Sequence, residues 1–315
     1  MNPLYQKLKH MIKKYDFLYV IFFIFRGYGY NLLNRILNYY FEKLKFYKKV
    51  GYPLQLKNPR SFHEKIIWKK IYDRNPLLPF TADKYKARSY IKNILGEEKA
   101  NKILIPLLYM TDKPDTIPFE SLPPNFIVKA NHASGFNIIV ENGHFNKEKI
   151  IKTCQRWLKI PYGLDKLEWA YQPIRRRIII EKLLREDNGN RPRRFNFYMF
   201  HGKCKSIHVM VEGINSTLVS FFDEKWDFLL AKNPNRLQGP RIKKPKNYED
   251  MLEIAEKLSK PFDHVRIDLY NVGEMIFFGE LTHYTESGLG KFEPQSHDFE
   301  LGRYWTIKAK YWKEQ

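Results

Sequence analysis

Apolar and charged residues in the first third of the chain recur at the spacing of amphipathic helices. Ser61 and Glu64 have the separation of a capping box, which predicts a helix that runs from this point to about Tyr72. A second helix is expected from Thr81 over the stretch 84–94. A region of helices should therefore precede the first strand.

From about residue 102 the pattern changes to short runs that are bounded by Pro, Asn and Gly, as β-strands are. In one longer stretch, apolar and polar residues alternate on both sides of a Gly-Lys turn, which suggests a hairpin. Apolar residues return to helical spacing at about 147–158 and 248–259. This order lacks the regular alternation of a doubly wound sheet and predicts an α+β fold. The strand-like stretches are KILIPLLYM (102–110), NFIVKANHASGFNIIV (125–140), RIIIEKLL (177–184) and FNFYMFHGKCKSIHVMV (195–211).

Two acidic residues lie in strand-like surroundings further along the chain. The runs VRIDLY and MIFFGELTHY are joined by the turn NVGE, which predicts an antiparallel hairpin with Asp268 and Glu280 directed toward one point. Two carboxylates at close range repel each other unless a cation lies between them, and ligands with oxygen atoms alone suit Mg²⁺. The alternative is that one carboxylate pairs with an arginine such as Arg266.

Two further segments have the residue types of a nucleotide site. In FIVKANHASGFNIIV, Lys129 supplies a point charge, while Ser134 and Gly135 allow backbone N–H groups to approach phosphate oxygens. In RIIIEKLL, the strand ends at 181–183, where backbone groups could pair with the edge of an adenine. Taken singly, each is better explained as a surface hairpin or as a strand that ends in a solvated turn.

The charge of the chain predicts an anionic partner. The 315 residues include 55 Lys and Arg against 34 Asp and Glu, a formal charge of +21. This excess suits a nucleotide, an acidic polysaccharide, an anionic lipid or a nucleic acid, but no motif for nucleic-acid binding is present. The two cysteines, Cys154 and Cys204, lack the spacing of a disulfide framework or a zinc site, which predicts a reducing, cytoplasmic compartment.

Residues 1–50 form a basic and aromatic segment, with ten Lys and Arg, two acidic residues and fourteen aromatic residues. This mixture suits helices that lie at an anionic membrane surface, and a helical cap packed on the main domain is an equal alternative. The apolar run 17–25 is too short for a spanning helix, which needs about 20 residues. A peripheral position at the inner membrane face is therefore one open expectation.

In this order, the stretches resemble the TupA-like ATP-grasp family, which is associated with bacterial surface polysaccharide and teichuronopeptide synthesis. The resemblance covers about 52–306 and includes ADKYKAR, FIVKANHASGFNIIV, RIIIEKLL, VRIDLYNV and FGELTHYTESGLGKFEP. It implies an ATP-grasp fold, in which two α+β lobes clamp a nucleotide. The implied division is a basic aromatic helical segment 1–50, a helical region 51–115, a small lobe 116–182 and a large lobe with the metal site 183–315.

The resemblance implies a ligase that uses ATP and Mg²⁺ to activate a carboxylate as an acyl phosphate, which an amine or a thiol then attacks. Such phosphoryl transfer depends on positioning and on neutralisation of phosphate charge. The positions that match the family's nucleotide-binding residues are Lys84 and Lys129 for the phosphates, His132, Ser134 and Gly135 in the flap 131–137, Glu181, Lys182 and Leu183 in the adenine hinge, and Glu186 or Asp187 for the ribose. Arg266 resembles the arginine that stabilises the transferred phosphoryl group, and Asp268, Glu280 and Thr282 match the metal ligands.

Three departures from the family pattern stand near this site. Thr282 replaces the usual asparagine of the metal site, and Arg194 and Asn196 fall within a run where the family has Asp-Tyr-Lys-Phe. An arginine that commonly follows the next strand is missing from VMVEGINST. These departures could mean altered substrate geometry or an enzyme that is weakened or inactive. Altered geometry is favoured, since the metal pair, Arg266 and both lysines remain.

The family association implies a carboxylated sugar or an amino acid of surface polysaccharide synthesis as the substrate. Two alternatives stay open. One is a glycosyltransferase, which also needs a metal held by acidic residues. The other is a non-catalytic nucleotide-binding scaffold, which the lost cationic positions make credible.

Overall fold

The computed structural model describes residues 16–212, 217–308 and 311, which fall into two compact units. The first unit consists of Met1–Glu42 and Pro106–Leu183, and the second unit consists of Lys43–Ile105 and Leu184–Gln315. The four-segment division implied by the family resemblance stays a prediction.

The first unit contains a four-stranded antiparallel sheet in the order β1-β4-β2-β3. The central strand β4 begins with three isoleucines that are fully buried, because neighbouring strands lie on both of its sides. The first strand begins only at Leu107, since the residues before Leu104 belong to a helix. The strands are β1 (Leu107–Thr111), β2 (Phe126–Ala130), β3 (Asn137–Val140) and β4 (Ile178–Lys182), and the helices are α1 (Asp16–Ile36) and α7 (Lys147–Lys159).

The second unit contains a seven-stranded sheet in the order β11-β10-β5-β6-β7-β8, with β9 paired to β7. Helix α8 (Tyr248–Ser259) covers one face of this sheet, where the ring of Tyr248 stacks on Phe197. The opposite face carries the polar residues of β5 and β10. The strands are β5 (Arg193–Phe200), β6 (Lys203–Glu212), β7 (Thr217–Phe222), β8 (Phe228–Leu229), β9 (Leu237–Gln238), β10 (His264–Val272) and β11 (Met275–Thr282).

Helix α3 (Phe62–Tyr72) confirms the capping box. The Ser61 side chain accepts from the N–H of Glu64, and the Glu64 carboxylate accepts from the N–H of Ser61 at 3.0 Å. Most of the helix is buried, because it packs on the face of the larger sheet opposite to α8, where Phe62 contacts Tyr198. The remaining helices of the second unit are α2 (Tyr40–Val50), α4 (Leu77–Ala82), α5 (Lys86–Leu95), α6 (Glu97–Ile103) and α9 (Ser296–Arg303).

The second expected helix is present as α5, but its expected start at Thr81 is wrong. Thr81 lies in the last turn of α4, and its hydroxyl donates to the carbonyl of Leu77 at 2.7 Å. The chain is extended at Asp83, whose carboxylate accepts from the N–H groups of Tyr85 and Lys86 at the start of α5. An aspartate that caps the following helix therefore separates two helices.

The other expected elements are present. The two central helices have nearly the expected bounds, and the hairpin of β5 and β6 turns at His201 and Gly202, both with positive φ. The part of the N-terminal segment that the structure describes is helical, whereas residues 1–15 lie outside the described residues. Among the described helices, none combines the length and the apolar character that crossing a bilayer requires. The predicted α+β fold is confirmed.

Candidate active site

The hairpin of β10 and β11 brings four candidate residues together in the second unit. Asp268 pairs with Glu280 across the two strands, and Arg266 pairs with Thr282. Directly opposed residues of an antiparallel pair point to the same face of the sheet. The four side chains therefore meet on one face, which is the face that α8 does not cover.

A β-bulge places Glu280 on this face. Leu269 pairs with Phe278, but Asp268 pairs with Glu280, so that Gly279 is an extra residue on β11. A Cβ at residue 279 would lie 3.0 Å from the carbonyl oxygen of Asp268, and the close approach of the strands therefore favours glycine. Without the extra residue, Glu280 would point to the opposite face.

Arg266 is the centre of the cluster. Its Nε and Nη2 atoms donate to the two oxygens of Asp268 at 2.6 and 2.7 Å, and Nη2 also donates to the Thr282 hydroxyl at 3.0 Å. The same Nη2 lies 3.7 Å from Oε1 of Glu280. The alternative that one of the two carboxylates pairs with Arg266 is therefore correct for Asp268. Glu280 lies at the edge of the same cluster.

Glu280 also faces a lysine that is distant in the sequence. The Nζ atom of Lys84, in the break between α4 and α5, lies 3.3 Å from its Oε2. Burial acts to raise the pKa of Glu280, but the charges of Lys84 and Arg266 prevail and lower it to about 2. Glu280 is therefore a carboxylate at neutral pH.

Asp268 is completely buried and depends on Arg266 for its charge partner. Burial raises the pKa of Asp268, against the effect of the neighbouring guanidinium. A second cation, Arg194, stands further away, with Nε 3.9 Å from the carboxylate. Arg194, one of the departures from the family pattern, thus adds positive charge to this cluster.

Asn196, the second departure, lies directly opposite Asp268 on β5. Its side chain is 4% exposed, and its Oδ1 atom has no hydrogen-bond partner among the described residues. A buried amide oxygen without a partner is a candidate ligand position. From the sequence, Asn196 was noted only as a departure, because its register with Asp268 depends on the pairing of two strands that lie far apart in the chain. The third departure, the missing arginine, concerns a stretch that includes residues 213–216, which lie outside the described residues.

The donor set suits a divalent cation of the Mg²⁺ type. Among the described residues, no group of three or more His, Cys, Asp and Glu is arranged to hold a metal. Mg²⁺ takes one or two protein carboxylates and completes its shell with water and substrate phosphate, so two carboxylates suffice. Glu280 is ionised, and the Thr282 hydroxyl and the Asn196 amide add neutral oxygens on the same face. The residues present therefore fit the cation.

In the first unit, Lys129 and Glu181 form an ion pair, with Nζ 2.8 Å from Oε2. They lie on the neighbouring strands β2 and β4, and their side chains are 18% and 9% exposed. Two candidate residues that are remote in the sequence are therefore in direct contact. A phosphate that approaches Lys129 would compete with Glu181 for the ammonium group.

The loop between β2 and β3 has a fixed base and an open tip. At its base, Asn131 accepts from the N–H of Arg177 at 2.7 Å and donates to the carbonyl of Arg175 at 3.0 Å, and His132 is buried. Ser134 and Gly135 are exposed, and a Cβ on residue 135 would meet no atom within 4 Å. Only the tip is therefore open to a ligand.

The remaining candidates lie at the end of β4 and after it. The N–H of Lys182 donates to the carbonyl of Pro106 at 3.0 Å, so an adenine would have to pair with other backbone groups between residues 181 and 183. In the second unit, Glu186 lines a cleft of about 730 Å³, a volume typical of ligand sites. The cleft is also lined by the basic residues Arg191, Arg193, Lys243 and Lys246.

Comparison with known proteins gives one family and a set of solved structures. The model of the family described as TupA-like ATPgrasp matches residues 64–306, a range that includes every candidate residue above. No curated protein matches the chain.

Three of the solved structures that the chain resembles illustrate the likeness. D-alanine–D-alanine ligase from Bacillus anthracis is 14% identical, with a TM-score of 0.41, over 65% of this chain and 57% of that chain. The enzyme of the same name from Helicobacter pylori is 14% identical, with a TM-score of 0.42, over 78% and 69%. The ATP-grasp ligase PsnB, in a complex with a phosphomimetic variant of its minimal precursor, Mg and ADP, is 10% identical, with a TM-score of 0.39, over 66% and 52%. The match to the first of these covers little more than half of that enzyme's length.

Proposed function

The chain belongs to the TupA-like ATP-grasp family, and from this premise we propose that it is an ATP- and Mg²⁺-dependent ligase that joins a carboxylate to an amine or a thiol through an acyl phosphate. The observation that carries the proposal is the ionised Glu280, which shares one face of a hairpin with Asp268 and Arg266 and lies 3.3 Å from the Nζ atom of Lys84. Phosphoryl transfer requires this kind of fixed arrangement of cations and carboxylates. The predicted ATP-grasp fold class is confirmed by the same family match.

Each residue of the cluster has a role in the proposal. Glu280 and Asp268, with the Thr282 hydroxyl, would hold Mg²⁺, which neutralises phosphate charge and polarises the transferred phosphoryl group when it is bound. Arg266 stabilises the negative charge of that group, because its guanidinium is fixed in place by two hydrogen bonds to Asp268. Lys84 holds Glu280 ionised until the phosphates arrive.

In the first unit, Lys129 would bind a phosphate oxygen of ATP. Its partner Glu181 keeps the ammonium group in place in the absence of the nucleotide. Exposed backbone at the tip of the flap, residues 134 and 135, would close on the phosphates, and the segment 181–183 would receive the adenine. Glu186 would accept from the ribose hydroxyls.

The substrate we propose is a carboxylated sugar or an amino acid in surface polysaccharide synthesis. The family association suggests this assignment, and the charge of +21 supports an acidic substrate. The alternatives are a glycosyltransferase and a non-catalytic nucleotide-binding scaffold.

An ADP-release screen tests the ligase. Purified protein with ATP and Mg²⁺ is incubated with pairs of uronic acids and amino acids, and ADP is measured. We expect release that depends on both partners, and a loss of at least about 100-fold in Lys129→Ala, since a positioned cation is worth this much in phosphoryl transfer. Lys152→Ala, on the exposed side of α7, is the matched control and should keep full activity.

Two outcomes would contradict the ligase. Release of UDP from a nucleotide sugar without consumption of ATP would indicate the glycosyltransferase. ATP binding that never leads to ADP, with any substrate pair, would indicate the scaffold.

A second partner follows from an apolar face of α1 in the first unit. One side of this helix is buried along Val20 and Asn34. The other side exposes large apolar residues at helical spacing, with Phe25 74%, Leu32 59% and Ile36 67% exposed. We propose that this face lies on an anionic membrane surface.

The charge of the same region supports this proposal. In the stretch 17–50 the one acidic residue, Glu42, is buried and accepts from Tyr30, so the exposed polar groups there are basic or neutral. The position of the protein would then be peripheral, at the cytoplasmic face.

Vesicle sedimentation tests the membrane face. We expect the protein to sediment with phosphatidylglycerol vesicles and to remain in solution with phosphatidylcholine vesicles. The pair Leu32→Glu and Ile36→Glu should abolish sedimentation, whereas Leu230→Glu, at an equally apolar residue of the second unit that is 83% exposed, should leave it unchanged. Equal binding of both variants would contradict the proposal. Light scattering gives a second test. A dimer that the Leu32→Glu and Ile36→Glu pair disrupts and Leu230→Glu does not would also contradict the proposal, because the face would then be an interface between copies of this chain.

A further inference from the structure

His63 is a buried histidine of the second unit. One of its ring nitrogens is hydrogen-bonded, and the other has no partner among the described residues. The carboxylate of Asp298 accepts from the backbone N–H of His63 at 3.1 Å and pairs with its Nδ1 at 2.8 Å. The hydroxyl of Tyr52 donates to the same carboxylate. The ring is therefore fixed in one orientation, and its Nε2 has no hydrogen-bond partner among the described residues.

The open nitrogen faces a glycine and a glutamate. A Cβ added to Gly290 would lie 2.6 Å from Nε2 of His63 and would collide with the carboxylate of Glu286. Both groups therefore line the small space beside residue 290. Asn233 donates to Glu286 at 3.0 Å and holds the carboxylate at this place.

The segment that carries Glu286 is in an unfavourable backbone conformation. Glu286 and the following Ser287 have φ values of 48° and 58°, in the left-handed region that non-glycine residues rarely adopt. The segment is tied to helix α3, because Lys70 donates to the carbonyl of Ser287 at 2.8 Å. Consecutive residues held in this conformation are typical of functional loops. Glu286 nevertheless remains an exposed residue.

The charged groups around His63 favour a proton acceptor. Burial acts to lower the pKa of His63, but the carboxylates of Asp298 and Glu286 raise it above its ordinary value. The pKa values of the neighbouring His208 and His297 are lowered, chiefly by burial, so they stay neutral beside it. A base is most effective when its pKa is near the working pH, and the raised pKa moves the imidazole in that direction.

The space beside Gly290 belongs to the same region as the proposed phosphoryl-transfer cluster. Tyr198, on β5, lies directly opposite Arg266 of β10, and its ring contacts Phe62, the residue before His63. His63 therefore stands beside the sheet face that carries Arg266. A group bound between His63 and Glu286 would lie on the side of the proposed phosphoryl-transfer cluster.

We propose that the Nε2 atom of His63 and the carboxylate of Glu286 form a binding site for the amine nucleophile, which enters as its ammonium ion. This assignment deepens the proposed ligase and rests on it. His63 takes one proton from the ammonium group, the freed lone pair forms a bond to the acyl carbon, and the phosphate leaves with the electron pair of the C–O bond. The nitrogen then gives its second proton to the departing phosphate, which leaves a neutral amide. Asp298 is a positioning residue, since its carboxylate is hydrogen-bonded to the backbone and ring of His63 and to the hydroxyl of Tyr52. A purely structural contact between α9 and α3 would need neither an open Nε2 nor a strained glutamate beside it.

A binding experiment tests the site without any turnover. The full chain, with ¹⁵N-labelled histidine, is titrated with methylammonium chloride and, at equal ionic strength, with tetramethylammonium chloride, and the imidazole resonances are followed by NMR. We expect methylammonium alone to shift the His63 resonance and to lower the pH midpoint of its titration. The exposed Glu286→Gln should lose this response, and Glu300→Gln should keep it. No response in the wild type, or an equal response in Glu286→Gln, would overturn the proposal.

A kinetic experiment separates this site from the ligase itself. With a uronic acid, ATP and Mg²⁺, the chain is supplied either with alanine, an ammonium ion at neutral pH, or with hydroxylamine, which is already deprotonated. Glu286→Gln and Asp298→Asn should lower turnover with alanine by about 100-fold or more and leave hydroxamate formation nearly unchanged. Equal losses with both nucleophiles would contradict the role. If the wild type releases ADP with neither, the ligase proposal fails, whereas the methylammonium result still decides whether the amine site exists.

Discussion

Glu280→Gln should reduce ADP release by at least about 100-fold, and it should also lower the stability of the fold, because the charges of Lys84 and Arg266 stabilise the Glu280 carboxylate in the folded protein. The substitution keeps the size of the side chain and removes the one negative charge that faces both Lys84 and Arg266. A neutral amide binds Mg²⁺ far more weakly than a carboxylate does. The measurement is the rate of ADP release as a function of the Mg²⁺ concentration, together with the midpoint of thermal unfolding.

Helix α8 offers a matched control for this prediction. The exposed Glu253 of this helix, which covers the opposite face of the sheet, pairs with Lys99 and Lys257. Glu253→Gln removes an equal charge at a place remote from the cluster, and it should retain wild-type turnover. If Glu280→Gln releases ADP as fast as Glu253→Gln does, the metal role of Glu280 is wrong.

Arg266→Met should lower the free energy of unfolding by about 3–5 kcal/mol, which is the usual effect of leaving a buried charge without its partner. Asp268 is fully buried, and its two oxygens accept from Arg266. The nearest remaining cation, Arg194, is 3.9 Å away. The measurement is urea unfolding of the wild type and the variant, with the loss expected to be smaller in acid than at neutral pH.

The sign of this pH effect follows from Asp268. Burial raises its pKa in the folded protein, and the loss of Arg266 raises it further. A carboxyl with a raised pKa destabilises the fold as the pH rises through that pKa, and a protonated carboxyl avoids the cost. The double variant Arg266→Met with Asp268→Leu removes both charges and should recover most of the stability. A single variant as stable as the wild type would show that Asp268 needs no partner.

Local patterns in the sequence were sufficient for most elements. The capping box at Ser61, the two central helices and the hairpins follow from spacings of a few residues, and the structure confirms them. The start of the second helix was predicted wrongly near Asp83. An aspartate inside a run of helix-forming residues can either continue a helix or cap the next one. That choice depends on which carbonyl and N–H groups lie nearby in space.

The candidate site was predicted in part. The residues of β10 and β11 were recognised from an acidic pair in apolar strands, and Lys84, Lys129 and Glu181 from the order of motifs. The proposed amine site of His63, Glu286 and Asp298 was not found from the sequence, since these residues belong to three separate segments. A His-Asp pair of this kind has no characteristic spacing, and the unfilled ring nitrogen is visible only in three dimensions.

The sequence by itself determined that this is an α+β chain with an acidic pair on a hairpin and with two lysines and a hinge in the order of an ATP-grasp protein. Periodicity of two and of 3.6 residues indicates the strands and helices, because the local backbone conformation sets the direction of successive side chains. Only the tertiary structure decided that Glu280 points to the face of Asp268, since the bulge at Gly279 reverses the alternation along β11. It also decided the charge state of Glu280, because the pKa of a carboxyl depends on burial and on the distance to Lys84 and Arg266, and folding alone sets both.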